Sequence, residues 1–487
     1  MSPGHHLLPA LYGRSLTLLT DLYQLTMAAA AWKAGIEQRE AAFHLIFRRA
    51  PFGSGFTVAA GLATALEFVQ QFQFQPDDLA YLAELKAESG EPLFERRFLD
   101  HLAALDLGID IDAIPEGTVV FPQEPLLRVA GPIVPCMLLE TPLLALINFE
   151  TLIATKAARI CLAAAGEPVL EFGLRRAQGI DGAVAASRAA YIGGAAATSN
   201  VLAGKVLGIP VRGTHAHSWV MLFDEEREAF EAYARAMPHN VVLLVDTYDT
   251  LEGIRNAIEV GRVLRSIGRD LSGIRLDSGD LAWLSIEARR MLDAAGFTKT
   301  VILASNELDE HVIESLKSQK AKIAAWGVGT RMVTGGDESA LGGVYKLTAV
   351  RDPGQPWRPR IKLSEQSAKI SVPGILQVRR FGDFTGDQIH DVADGPSRTL
   401  VDMLDPTRRK TVPPDAPFED LLAPVLRKGK PVYEPPSIHD SRARTQSQLA
   451  RLHPAIKRFV NPHQYPVGLA PPLHDRRTQM ILEARRR

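Results

Sequence analysis

Between about residues 168 and 335 the chain repeats one pattern: a short apolar run rich in β-branched residues, a polar or Gly-rich loop, then a helical stretch. The runs lie in PVLEFGLRRAQG, IPVRGTHAHSW, NVVLLVDTYDT, SGIRLDSGDLA, VILASNELDE and KIAAWGVGTRMVT. They recur every ~25 to 40 residues, the length of one βα unit. Strands that are apolar on both faces belong in a parallel sheet covered by helices, and a closed barrel is the expected closure. Polar residues crowd the carboxyl ends of these strands, where barrels and open parallel sheets alike place their chemistry.

The flanks read differently. Residues 1–135 mix helical patterns such as DLYQLTMAAAAWKAG with extended pieces such as AAFHLIFRR and GTVVFPQEPLLRVAG, as in an α+β domain. Residues 136–350 then form the α/β barrel, and 351–487, rich in Pro, Arg and Gly, are expected to pack back on the N-terminal domain. The apolar stretch from Val129 to Gly166 is interrupted by Pro132, Pro135, Glu140, Pro142 and Glu150, which suits buried helices rather than a membrane span. The first residues, MSPGHHLLPALYGRSLTLL, lack the cationic start and apolar run of a leader.

Charge narrows the partners. With 55 basic and 56 acidic residues, a formal net charge of −1, the chain has no global field for nucleic acid or an anionic membrane, so any anion is held by local placement. The two cysteines, Cys136 and Cys161, have neither disulfide-framework nor zinc-ligand spacing, which fits a reducing cytoplasm.

The loops after the strands carry the candidate chemistry. In an extended GTHAHSW segment His215 and His217 would share a face, and a metal reading would recruit Asp246, Asp249, Asp277 or Asp280. The remaining loops favour Arg, Ser, Thr and Gly, which suit phosphate better than a transition metal. FGLRRAQG offers the guanidinium of Arg175 after a strand. IRLDSGDL combines Arg275 and Ser278 with the backbone of Gly279 for an anion, and Asp277 and Asp280 for sugar hydroxyls or Mg²⁺. WGVGTRMVT places Gly327 and Gly329 where backbone N–H groups can approach a phosphate, with Thr330 as an added donor. Each signal has a bland alternative, a surface ion pair or a structural turn. Together at one mouth they point to a phosphorylated sugar substrate.

The runs LLTDLYQLTMA, EFGLRRAQG, GTHAHSW, VDTYDT, IRLDSGDL, ASNELDE, GVGT, GGVYKL and QYPVGL, in this order over nearly the whole chain, resemble nicotinate phosphoribosyltransferases. The resemblance implies an irregular, TIM-like α/β barrel with a flanking α+β domain built from both chain ends, and a homodimer with shared active sites. It implies that nicotinate and phosphoribosyl pyrophosphate become nicotinate mononucleotide and pyrophosphate, coupled to ATP hydrolysis, with Mg²⁺ on the polyphosphates. His217 would be the phosphoryl-accepting nucleophile, flanked by Thr214 and Ser218. Phe172 and Tyr23, the latter from the partner subunit, would stack on nicotinate. Arg175, Arg275 and Thr214 would share its carboxylate and the ribose phosphates. Asp277 would hold ribose hydroxyls or the developing sugar cation, Thr330 with Gly327 and Gly329 the 5-phosphate, and Ser278, Gly279 and Asn306 further substrate contacts. Two positions depart from the family pattern: His215, where a larger apolar or amide residue is usual, and Arg331, where a small one is. A relative taking nicotinamide or quinolinate, a catalytically weak ligand-binding protein and a metal hydrolase are the competing readings.

Overall fold

The computed structural model describes residues 15–366 and 369–486. Most of the N-terminal run MSPGHHLLPALYGRSLTLL lies outside the described residues. The chain divides into two compact units, residues 1–155 with 340–487, and residues 156–339. The divisions fall at 155 and 339, where the sequence reading drew boundaries at 135 and 350. No helix among the described residues is long and apolar enough to cross a membrane.

The first unit draws strands from both ends of the chain. Strand Glu40–Phe47, buried along nearly its whole length, pairs antiparallel with Gly343–Arg351 on one side and Pro125–Pro132 on the other. Asp110–Ala113 extends this sheet and takes Ala423–Arg427 as its antiparallel neighbour. A second, six-stranded sheet is made wholly from residues after 375.

The second unit carries the repeat. Its strands are β1 (Val169–Glu171), β2 (Ala197–Thr198), β3 (Val242–Leu244), β4 (Gly273–Leu276), β5 (Val301–Ala304) and β6 (Ala325–Val328). All pairings are parallel, in the order β2-β1-β6-β5-β4-β3. The first strand therefore pairs with the last, while the ladder stays open between β2 and β3. A mixed α/β unit with a parallel sheet is what the hydrogen bonds draw, not the closed ladder of the expected barrel.

The opening has a local cause. The expected strand in IPVRGTHAHSW does not form, and the edge of the sheet it would have extended is Ala197–Thr198, a strand too short to carry a sequence signal. Pro210 has no N–H to donate, and the segment reduces to one parallel bridge, Thr198 to Val211, made by Thr198 N–H to Pro210 O (3.0 Å) and Arg212 N–H to Thr198 O (3.0 Å). Helices elsewhere start on acidic caps. Asp249 accepts from the N–H of Glu252, Asp280 from Ala282 and Trp283, and Asp309 from His311 and Val312. Asp249 and Asp280, offered above as ligands, are thus helix caps.

One buried ionic cluster ties the long helix Glu140–Ala164 to this unit. Glu310 Oε1 accepts from Arg159 Nε at 2.7 Å and Oε2 lies 2.7 Å from Lys156 Nζ, with all three side chains almost wholly buried. Burial pushes the Glu310 carboxyl up, but the two cations outweigh it and hold it below its ordinary value. Removing one member of such a group strands the others in low dielectric, at about 3–5 kcal/mol. Glu310→Ala should therefore lower unfolding stability by that amount in denaturant titrations; a loss under about 1 kcal/mol would contradict a charge-dependent contact.

Candidate functional site

Three strand ends and the irregular segment carrying Thr214 converge on one guanidinium. Arg275 sits on β4 and its side chain donates from Nε to Ser305 Oγ (2.7 Å) after β5, from Nη1 to Thr214 Oγ1 (3.1 Å), and from Nη2 to Asp277 Oδ1 (2.9 Å) after β4. The same guanidinium lies 5.8 Å from the centroid of the Phe172 ring, which follows β1. Ser305 Oγ also donates to Asp277 Oδ1. Burial pushes Asp277 up, yet Ser305, Arg275 and His217 together hold it below the ordinary carboxylate value. Asp277 is therefore an anion near neutral pH.

Asp246, one residue beyond Val245 after β3, supports this loop from below. Its Oδ2 accepts from Asp277 N–H (2.8 Å) and from Ser278 Oγ (2.7 Å). Its Oδ1 is buried with no hydrogen-bond partner, and it points toward His217 Nε2 at 4.0 Å. Asp277 Oδ2 lies 3.7 Å from the same nitrogen. The other ring nitrogen, His217 Nδ1, is 3.1 Å from Thr247 Oγ1. The His217 side chain is 39 % exposed. Two carboxylate oxygens and an open imidazole nitrogen thus face one another with space between them.

His215 does something else. A short helix begins at His217, so the extended-strand rule fails and the two histidines part company. His215 is buried beside Tyr233 (centroids 4.8 Å apart) and Phe230 (6.1 Å), and its Nε2 accepts from Leu244 N–H at 3.1 Å. Leu244 ends β3, the open edge of the sheet. A side chain satisfies a donor that a neighbouring strand would otherwise take. Burial keeps His215 below its ordinary value, opposed by its contact with Ala216 and reinforced by Arg275 and His217.

The glycines also differ from expectation. Gly327 lies inside β6, and a Cβ there would come within 2.7 Å of the Phe172 ring. Its missing side chain seats that ring. Gly329 caps the single turn Thr330–Val333. Thr330 Oγ1 donates to Glu307 at 3.3 Å, and Arg331 is bound to Asp337 at 2.7 Å, the contact that raises its basicity most. Asn306 is held at φ 117°, a conformation that favours glycine and here turns the chain just after Ser305. Gly279, at φ 78°, makes the corresponding turn after Ser278.

Phe172, Thr214, His217, Arg275, Asp277, Ser278 and Gly327 are thus brought together. Arg175 and Ser218 are exposed on short helical turns. Tyr23 is exposed on helix Leu22–Lys33, in the other compact unit. Sequence reasoning missed Ser305 and Thr247, and weighed Asp246 only as a metal ligand. The signal was present in VLLVDT and VILASN, where a polar residue closes an apolar strand. Among the described residues no group of three or more His, Cys, Asp or Glu is placed to hold a metal.

The parallel sheet and its mouth define an α/β enzyme working at the carboxyl ends of its strands. Family models place it further: residues 18–148 match the nicotinate phosphoribosyltransferase N-terminal domain, 168–354 the nicotinate phosphoribosyltransferase family and 384–477 its C-terminal domain. The Bacillus subtilis nicotinate phosphoribosyltransferase is 42% identical, over 97% of this chain and 96% of its own. The human one is 37% identical, over 93% and 94%. The crystal structure of human nicotinic acid phosphoribosyltransferase superposes with a TM-score of 0.83, covering 95% of this chain and 99% of that one. The chain belongs to the nicotinate phosphoribosyltransferase family. A nicotinate-nucleotide pyrophosphorylase from Pyrococcus furiosus, 21% identical with a TM-score of 0.70 over 90% of this chain and 96% of its own, shares the fold.

The role given to His215 is testable. His215→Phe keeps the ring contacts but leaves Leu244 N–H buried and unsatisfied, at about 1–3 kcal/mol. Because the folded value is depressed, the contribution of His215 is fully present above its unfolded value near 6.5 and is lost as pH falls toward the folded value. The stability gap between parent and variant should therefore be widest at pH 8 and shrink below about pH 6.5. A gap that widens on acidification would contradict the assignment.

Proposed function

We propose that this chain joins nicotinate to the phosphoribosyl group of phosphoribosyl pyrophosphate, giving nicotinate mononucleotide and pyrophosphate for NAD biosynthesis. The observation that carries the reading is the convergence of His217, Asp246, Asp277 and Arg275 at the strand ends, in a chain of this family. The reading extends, as the family resemblance implies, to ATP coupling through a phosphohistidine, a homodimer in which Tyr23 completes the partner's site, and a cytoplasmic setting. We also read the sheet as an irregular barrel, since β1 pairs with β6 and residues 210–215 touch both open edges.

His217 is suited to a nucleophile's part. With the Nδ1 proton directed at Thr247 Oγ1, Nε2 presents its lone pair to the mouth. Nε2 forms a bond to the γ-phosphorus of ATP, the bond to the β,γ-bridging oxygen breaks, and ADP leaves with that electron pair. Asp246 and Asp277 stabilise the positive charge that the ring gains. Water later attacks the same phosphorus and frees phosphate and the imidazole.

Glycosyl transfer falls to the other groups. The Phe172 face, packed on Gly327, stacks on the pyridine ring, and exposed Arg175 offers a cation for the nicotinate carboxylate or a phosphate. As the bond from C1 to pyrophosphate breaks, its electrons leave with pyrophosphate; ionised Asp277 faces the cationic sugar until the pyridine nitrogen bonds to C1. Thr330 and the Gly329 backbone are the donors assigned to the 5-phosphate. Mg²⁺ fits the donor set, because Asp246 Oδ1 is a buried oxygen without a partner and Asp277 Oδ2 faces the same space. One or two carboxylates completed by substrate oxygens suit that ion. When bound it would neutralise the polyphosphate charge.

A direct assay decides. Nucleotide formation from nicotinate should exceed that from nicotinamide or quinolinate and rise with ATP. His217→Ala should abolish the ATP stimulation and the acid-labile label from γ-phosphate-labelled ATP. Label retained in His217→Ala would overturn the nucleophile assignment, and preference for nicotinamide or quinolinate would overturn the substrate.

A further inference from the structure

The unit built from both chain ends contains a cavity of about 500 Å³ for which the reaction above supplies no use, a volume typical of small-molecule sites. Its floor is rigid. The rings of Phe121 and Tyr465 stack with centroids 3.7 Å apart, and Tyr465 donates its hydroxyl to buried Asp387 (2.7 Å), which Arg380 holds from the other side. Tyr465 belongs to the QYPVGL run, which the site at the strand ends leaves without a role.

The cavity is cationic. Arg48, Arg49 and Arg477 line it against one carboxylate, Asp402, whose Oδ1 already accepts from the N–H groups of Leu404 (2.8 Å) and Asp405 (2.9 Å). Arg477 is the informative member. It is 7 % exposed, and its guanidinium donates only to the carbonyls of Ser371, Met403 and Ile370, each at 3.3 Å, with no ion pair among the described residues. Burying an unpaired charge is costly, and neutral acceptors at that distance return little of it. Proteins keep such a cation where an anion meets it.

We propose that this cavity is a second ligand site, taking a small organic phosphate whose charge is met by Arg477 and whose uncharged part lies along Ile370 and Met403. None of the residues lining it is among those of the strand-end cluster, and all belong to the unit of residues 1–155 and 340–487.

ATP binding to the full chain, followed by calorimetry, tests this. The parent should show two classes of site per chain. His463→Glu places a carboxylate at the exposed rim without touching the fold, and should weaken one class at least ten-fold while nicotinate turnover stays at the parent value. Arg477→Met should remove the same class. Inorganic pyrophosphate should displace ATP from it only at ten-fold or greater excess. A parent with no ATP site that His463→Glu and Arg477→Met weaken would overturn the proposal; displacement by pyrophosphate at equal concentration would overturn the organic part of the ligand. The readout is binding, so a failed nicotinate assay leaves this test standing.

Discussion

A single guanidinium holds the mouth together. Arg275 donates to Thr214, Asp277 and Ser305, which stand on three different loops. An arginine does this because its donors form a planar fork of fixed geometry and its charge does not titrate. The consequence is electrostatic as well as geometric. Asp277 is kept ionised next to an open histidine nitrogen, and Asp246 is left with one oxygen tied to the loop and one oxygen free.

The sheet makes that clamp possible by being incomplete. Between β2 and β3 a strand is missing, and residues 210–215 take its place with one backbone bridge and one imidazole. The irregular segment carries Thr214 to Arg275 and delivers His217 to the carboxylates, which a regular strand with alternating side chains would not do. His215, the first departure from the family pattern, is the residue that fastens this segment to β3. The second departure, Arg331, is engaged by Asp337 and Glu307 at the surface.

Much of this was legible in the sequence. Five of the six βα units could be read from apolar β-branched runs bounded by polar loops, because burial on both faces leaves that pattern. The sixth could not, since Ala197–Thr198 is too short to have a period and Pro210 spoils the run that looked like a strand. His217, Arg275 and Asp277 stood out by type and position. The work of Asp246 and Ser305 did not, because a hydrogen bond between loops after different strands leaves no spacing to read. Asp249 and Asp280 were indistinguishable from ligands until the helices they cap were seen. At Gly327 the packing need was illegible too: a Cβ there would meet the Phe172 ring.

The central claim is that Arg275 organises the site rather than merely gripping a substrate anion. Steady-state kinetics of Arg275→Lys test it most directly, because lysine keeps the charge and loses the fork. In that variant kcat should fall at least about a hundred-fold, as expected when catalytic groups lose their register, with stability near the parent's. A variant whose kcat matches the parent, with only the KM for nicotinate or phosphoribosyl pyrophosphate raised, would contradict it.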